Sequence, residues 1–414
     1  TINDKKTLMS ADQLKQYLEN MDGNNVAAVE VITSPPAKYE AEGSAVINIR
    51  LKQNKSAGYK GRISARWHQS EYAKERIGLL QSYNAGKWQL SGNYDFVSGD
   101  YVRKNLDVSI FDKDQTRWES DMVRKTTNHQ QHLYNFAAQY SVDSLSTVQF
   151  GFDGYNSPKS VGHYRIPTVI YDLQTNLPQS DYLTANDRFQ YHNNFNSYLV
   201  LDRKFGKNTI TWTNNLSAKR HKENQDVSTF LHFKNQPEGF SRFGSANIQD
   251  VGLISSQIDH RYGAKDFIFE SGLKFSRVKN TSDFDFLSGG KDFLIFDPEK
   301  SNLFRYRESI FAAYVSVEYH LKKWEMKAGL RSETTSIKTS SDNPAVENNS
   351  TKTGLSPSAY LMYKLSDDQQ LAISYSKRIS RPVYDFLNPS KSYYNLYSYF
   401  QGDANLKSAI IHNL

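Results

Sequence analysis

The chain has 414 residues, with 27 tyrosines, 23 phenylalanines, 11 prolines and no cysteine, and its 51 Lys plus Arg against 44 Asp plus Glu give a net charge of +7. The absence of cysteine excludes disulfide frameworks, thiolate metal sites and cysteine nucleophiles. A negative mean hydropathy, and no apolar run of about 18 residues, exclude a bundle of membrane helices; basic and acidic residues alternate without a basic block, which argues against a nucleic-acid partner.

The first fifty residues differ from the rest. Ser10 with Gln13 resembles a capping box opening an amphipathic helix over 11–21, with Leu14, Tyr17, Leu18 and Met21 on one face. Gly23 ends it. A strand is predicted from Val26 to Thr33, Ser34-Pro35-Pro36 breaks it, and a second strand runs from Ala45 to Leu51 after Gly43. Together these make a small α/β unit.

From Gly58 onward the period is two. Phe311, Ala313, Val315, Val317, Tyr319 and Leu321 alternate with Ser316, Glu318 and His320; Tyr134, Phe136, Ala138, Tyr140 and Val142 alternate with Asn135, Gln139 and Ser141. Leu90, Tyr94 and Phe96, and Val148, Phe150 and Phe152, repeat the pattern. Each strand has one apolar and one wet face. Tight turns fall near Asn84-Ala85-Gly86, Asp143-Ser144, Phe205-Gly206-Lys207, Gly263-Ala264, Lys322-Lys323 and Ser366-Asp367-Asp368, and between them lie the polar segments 156–187, 221–249, 280–302, 339–349 and 381–400. The order short, long, short, long is that of an all-β, transmembrane, antiparallel up-and-down β-barrel with turns on one side and loops on the other, here of about fourteen strands each about 10–17 residues long. A soluble sandwich or propeller would need shorter, evenly spaced strands or blade repeats.

Two stretches carry a family resemblance. The first is Val29-Glu30-Val31-Ile32-Thr33-Ser34-Pro35-Pro36-Ala37-Lys38-Tyr39 with Glu40-Ala41-Glu42-Gly43 and Val46-Ile47-Asn48-Ile49. The second is Lys377-Arg378-Ile379-Ser380-Arg381-Pro382, Leu387-Asn388-Pro389 and Gly402-Asp403-Ala404-Asn405-Leu406-Lys407, where Asp403-Ala404 and Ser408 depart from the usual Asn-Pro and proline. The sequence resembles TonB-dependent receptors, in the subgroup of outer-membrane β-barrel proteins of Bacteroidota. The resemblance implies residues 1–55 as the end of a plug and 56–414 as barrel, incomplete at its C-terminal end, in a fold of about 22 strands when whole. It also implies that the first half of the plug and a TonB-contacting segment precede this chain.

Candidate residues are few. No nucleophile elbow, Walker loop, dinucleotide fingerprint or His-Glu-x-x-His is present, so no enzyme and no cofactor are expected. His129 and His132 stand three apart, which on a regular strand sends the rings to opposite faces. Asp283, Asp285, Asp292 and Asp297 match no calcium loop. Of the strand-end tryptophans Trp67, Trp88, Trp212 and Trp324, those following tight turns, Trp88 and Trp324, are read as membrane girdle residues. The aromatics Tyr164, Tyr171, Tyr393, Tyr394, Tyr397, Tyr399 and Phe400, with Tyr39 of the plug stretch, are candidate ligand contacts, packing between loops being the competing reading.

The expected function is an outer-membrane receptor that imports a specific ligand through a plugged barrel. The expected partners are outer-membrane lipids, TonB through a segment missing from this chain, and a surface lipoprotein or a larger outer-membrane complex. The alternative is a plug-bearing barrel that serves as a fixed subunit of an assembly or secretion complex without transporting anything.

Overall fold

The computed structural model describes residues 26–32, 35–43, 46–51, 57–233, 238–395 and 397–414. The expected helix over 11–21, with its Ser10 and Gln13 cap, lies outside the described residues, as do Thr33 and Ser34. A first hairpin pairs β1 (Val26–Ile32) with β2 (Val46–Leu51). A large sheet follows: β3 (Gly58–Gln69), β4 (Ala73–Ala85), β5 (Trp88–Phe111), β6 (Thr116–Ser141), β7 (Ser146–Asp172), β8 (Pro178–Phe205), β9 (Asn208–Phe233) and β10 (Gly239–Gly263). It continues through β11 (Phe267–Gly289), β12 (Leu294–Phe296), β13 (Asn302–Leu321), β14 (Trp324–Asp342), β15 (Ala345–Lys364) and β16 (Gln370–Ser380) to β19 (Ala409–Asn413). Between β16 and β19 lie the one-turn helix α1 (Tyr384–Leu387) and a hairpin of β17 (Lys391–Tyr393) and β18 (Tyr399–Gln401).

The large sheet has 15 strands; β12 is an appendage of β11, and the other fourteen pair antiparallel in chain order. This is the up-and-down meander that the turn pattern predicts. The six tight turns fall at 86–87, 142–145, 206–207, 264–266, 322–323 and 365–369, all at one end of the strands.

Strand length is where the sequence reading falls short. β8 spans 28 residues and β7 27, well above the expected 10–17. Of the segment 156–187 only 173–177 lies between strands. The polar stretches are therefore mostly strand, and the reason is a change of surroundings along one strand. On β13 the outward face runs Leu321, Tyr319, Val317, Val315, Ala313, Phe311 and then turns polar at Ser309, Arg307 and Arg305. Phe311 is 54 % and Val315 48 % exposed on that outer face. The apolar part matches the roughly 9–11 residues that cross a bilayer. Above it the outward face turns polar while the inward face mixes buried polar and apolar residues, so the alternation loses its expected sense and a strand reads as a loop.

The interior is polar near the turns and apolar near the loop end. Val227, Phe243, Phe284 and Phe286 form one buried cluster, Val251, Leu253 and Val278 a second, and Phe304 and Tyr306 a third with Leu387 of α1.

Candidate functional site

Two structures are seated on the inner face of the sheet, one toward the turns and one toward the loop end. The lower one is the β1–β2 hairpin with its linking residues 35–43. Arg331 and Glu333, both on the inner face of β14 and each 2 % exposed, are joined by Arg331 Nε donating to Glu333 Oε1 at 2.7 Å. Arg331 also donates to the carbonyl of Ala37 at 3.3 Å, and Glu333 accepts from the Ala41 amide at 3.1 Å. Arg381 donates to Glu333 Oε2 at 2.8 Å and pairs with Glu308 at 3.3 Å and Glu42 at 3.8 Å.

Arg378 completes the seat by binding carbonyls. Its guanidinium donates to Gly43 O at 2.5 Å, Glu40 O at 2.5 Å and Glu42 O at 3.0 Å, while Lys274 Nζ pairs with Glu40 at 2.8 Å. The backbones of Ala41–Gly43 and Ile379 exchange Ile379 N to Ala41 O at 2.8 Å and Gly43 N to Ile379 O at 2.9 Å. Gly43 holds φ +83°, a region where a side chain is strained, and so turns its carbonyl onto Arg378. The two stretches that carry the family resemblance thus touch each other across the molecule. Four cations face four carboxylates, so the seat is balanced in charge and buried. Tyr39 lies here, lining a small gap with Ala41, Arg331 and Arg378. Beneath the hairpin a cavity of about 400 Å³ is lined by Val31, Pro36, Glu270, Glu318, Glu325 and Lys327 among others.

The upper structure is a strap, residues 384–395 and 397–401, folded back onto the inner face. Tyr393 packs on Phe243 and Phe286, with ring centroids 5.7 and 5.2 Å away, and Gln225 donates to its carbonyl at 3.1 Å. Tyr384 stacks on Tyr306 at 5.0 Å. Tyr397 meets Trp118 at 5.3 Å and Tyr182 at 5.2 Å, and Tyr399 meets Tyr393 at 5.4 Å. Below Tyr394, Arg188 lies 5.8 Å from that ring and 5.0 Å from Tyr164.

Of the tyrosines expected to share a ligand, Tyr164, Tyr393, Tyr394, Tyr397 and Tyr399 are brought into one neighbourhood. Two are not. Tyr39 sits in the lower seat, and Tyr171, at an odd spacing from Tyr164 along β7 and so on the opposite face, lies under Arg117 at 4.7 Å. Trp88 and Trp324 face outward beside turns, 4.6 Å from Tyr140 and 4.5 Å from Tyr363. His132 accepts or donates with Tyr94 OH at 2.6 Å; the side chain of His129 lies outside the described residues. Phe284 and Phe286 turn inward and are buried, and Asp297 caps its own loop, accepting from the Glu299 amide at 3.1 Å. No group of three metal-ligating side chains occurs among the described residues. Sequence reasoning missed Arg124, Arg188, Glu308, Arg331 and Glu333, because only strand register shows which charged residues face inward.

Residues 203–414 match the model of the outer membrane protein beta-barrel family. The chain belongs to this family. Its outward apolar belt therefore faces outer-membrane lipid and its short turns the periplasm. A search of curated proteins returns no match. Among solved structures it is similar to the ferric-catecholate import receptor Fiu of E. coli K12, at 10 % identity and TM-score 0.33, over 87 % of this chain and 76 % of that one. It is also similar to the ferric yersiniabactin uptake receptor FyuA of Yersinia pestis, at 9 % identity and TM-score 0.29, over 86 % and 74 %. A third is the ferric enterobactin receptor PfeA of Pseudomonas aeruginosa, at 8 % identity and TM-score 0.25, over 87 % and 80 %.

Proposed function

We propose that the protein is a TonB-dependent importer, in which residues 1–55 are the end of a plug, 56–414 are barrel, and a ligand enters from the loop end. The observation that carries this reading is the seat of the hairpin. A segment that precedes the sheet in the same chain is held against the wall by buried ion pairs and by guanidinium-to-carbonyl bonds. Such contacts are strong while dry and exchange readily for water once the segment is pulled. In this reading Trp88 and Trp324 anchor the periplasmic interface, and the strap tyrosines stand over the ligand path.

Growth profiling in the host tests it. Strains deleted for this gene, for TonB and for both are grown with iron, vitamin, glycan or peptide sources limited one at a time. For an importer, every defect of the single gene deletion is also a defect of the TonB strain, and the double deletion adds nothing. Defects that persist independently of TonB, with co-purification of assembly or secretion components, would replace import by a scaffold role.

A further inference from the structure

The inner wall under the strap carries an alternating stack of rings and guanidinium groups. Arg124 of β6 lies 5.9 Å from Tyr101 and 5.1 Å from Tyr164, and Arg188 of β8 lies 5.0 Å from Tyr164 and 5.8 Å from Tyr394. Tyr164 thus serves both arginines. Gly162, beside it on β7, leaves the floor open: a Cβ there would come within 3.1 Å of the Tyr164 ring. Stacking uses the faces of the guanidinium groups and leaves their N–H edges to find other partners.

Those edges are poorly matched. Arg124 donates from Nε to Thr126 at 2.9 Å and, at 3.5 Å, from Nη2 to Tyr101 OH. Arg188 Nε is buried without a hydrogen-bond partner among the described residues, and its carboxylate neighbour Glu223, 3.8 Å away, already accepts from Gln190. Further down the same face Lys219 has no carboxylate within ion-pair distance among the described residues. His192 and His221 stack between these cations with their Nδ1 atoms 2.9 Å apart. Two imidazoles invite a metal ion, but Glu223 stands 4.0 Å from His221 and no group of three metal-ligating side chains forms among the described residues.

We propose that Arg124 and Arg188, stacked on Tyr164, form a subsite for a small organic polyanion bearing carboxylate groups. The anion takes the guanidinium edges and the ring of Tyr394 leaves Arg188, which couples arrival of the ligand to the strap. The proposal rests on the import reading only in treating the lumen as a ligand route.

The test is calorimetric titration of the detergent-purified full-length protein with citrate, and with sucrose as the neutral control. Citrate binds and sucrose does not. Arg124→Gln and Arg188→Gln each weaken citrate by about tenfold or more, the scale of one charge-assisted pair. Arg188→Lys falls between wild type and Arg188→Gln because the charge stays and the fork is lost, and Tyr394→Ala tightens binding. Gel mobility that still shifts on boiling shows that each variant retains its barrel. No citrate binding at millimolar concentration, or binding unchanged in the double Arg→Gln variant, overturns the proposal. Because binding to purified protein requires no energy source, that failure leaves TonB dependence untouched, and loss of TonB dependence leaves the subsite untouched.

Discussion

The hairpin and the strap rest on the same inner wall and are held by different means, the first by charged groups, the second by rings together with side-chain hydrogen bonds from Gln225, Gln249 and Asn302. Below, Arg331, Glu333, Arg378 and Arg381 grip carboxylates and backbone carbonyls. Above, Tyr384, Leu387, Tyr393 and Tyr397 are set among rings and aliphatic side chains. An apolar contact loses its stabilisation only as area returns to water, gradually and without specific geometry. An ionic one is lost within a short displacement, and water takes its place. A segment designed to leave under a pull is better held by the second kind, and one designed to stay by the first.

Three substitutions sharpen that contrast. The largest effect is expected from Glu333→Gln, which takes from Arg331 its carboxylate and from Arg381 one of three; breaking such a buried pair costs about 3–5 kcal/mol. Hydrogen exchange should speed up over 26–51 and leave the strap unchanged; equal protection would mean the hairpin is held elsewhere. Tyr393→Ala removes contacts to Phe243, Phe286 and Tyr399, each aromatic pair contributing about 0.5–1.5 kcal/mol beyond its area. Exchange should then rise in 384–401 and not in the hairpin. Gly43→Ala places a side chain at φ +83° and should loosen the hairpin by about 1–2 kcal/mol, read in the same experiment as a smaller copy of Glu333→Gln.

The smallest effect lies at a loop tip outside both regions. Backbone N–H donation from Thr175, then its hydroxyl, then the Gln174 amide, hold the Asp172 carboxyl below its ordinary range. A depressed folded-state pKa contributes stability above the unfolded value of about 3.9 and loses it as pH falls through the lower folded value. Order in 173–177, followed by amide chemical shifts, should persist at neutral pH and fade only in acid, while Asp172→Asn should flatten that dependence.

The membrane-facing half of the strands was legible because the bilayer enforces a period of two, as Phe311 to Leu321 shows. The upper half was not, since its outward face is polar and its inward face mixes buried rings with buried polar residues, which a reader of the sequence takes for a loop. Arg378 and Arg381 stood out as part of a motif. Arg331 and Glu333 did not, because an Arg-x-Glu on a strand is unremarkable until its partner Ala37, 294 positions away, is known. The stack of arginines and tyrosines was hidden by irregularities that break the register between β5 and β6 at Val97/Gly99 and between β6 and β7 at Asn128/Gln130. Tyr171 was grouped with Tyr164 although an odd spacing along one strand sends the two rings to opposite faces.

The switch on β13 from Phe311 to Ser309, Arg307 and Arg305 marks a waterline. With a rise of about 3.4 Å per residue and about 11 residues in the bilayer, a strand of 28 residues such as β8 stands farther above that line than it reaches below it. The molecule is thus a tower with its foundation in the lipid, and the strap with its arginine ladder occupies the storey outside. Under the proposed import, a solute meets the strap before it reaches the level of the acyl chains, so selection and crossing fall at different heights, and the upper storey can be rebuilt without disturbing the foundation.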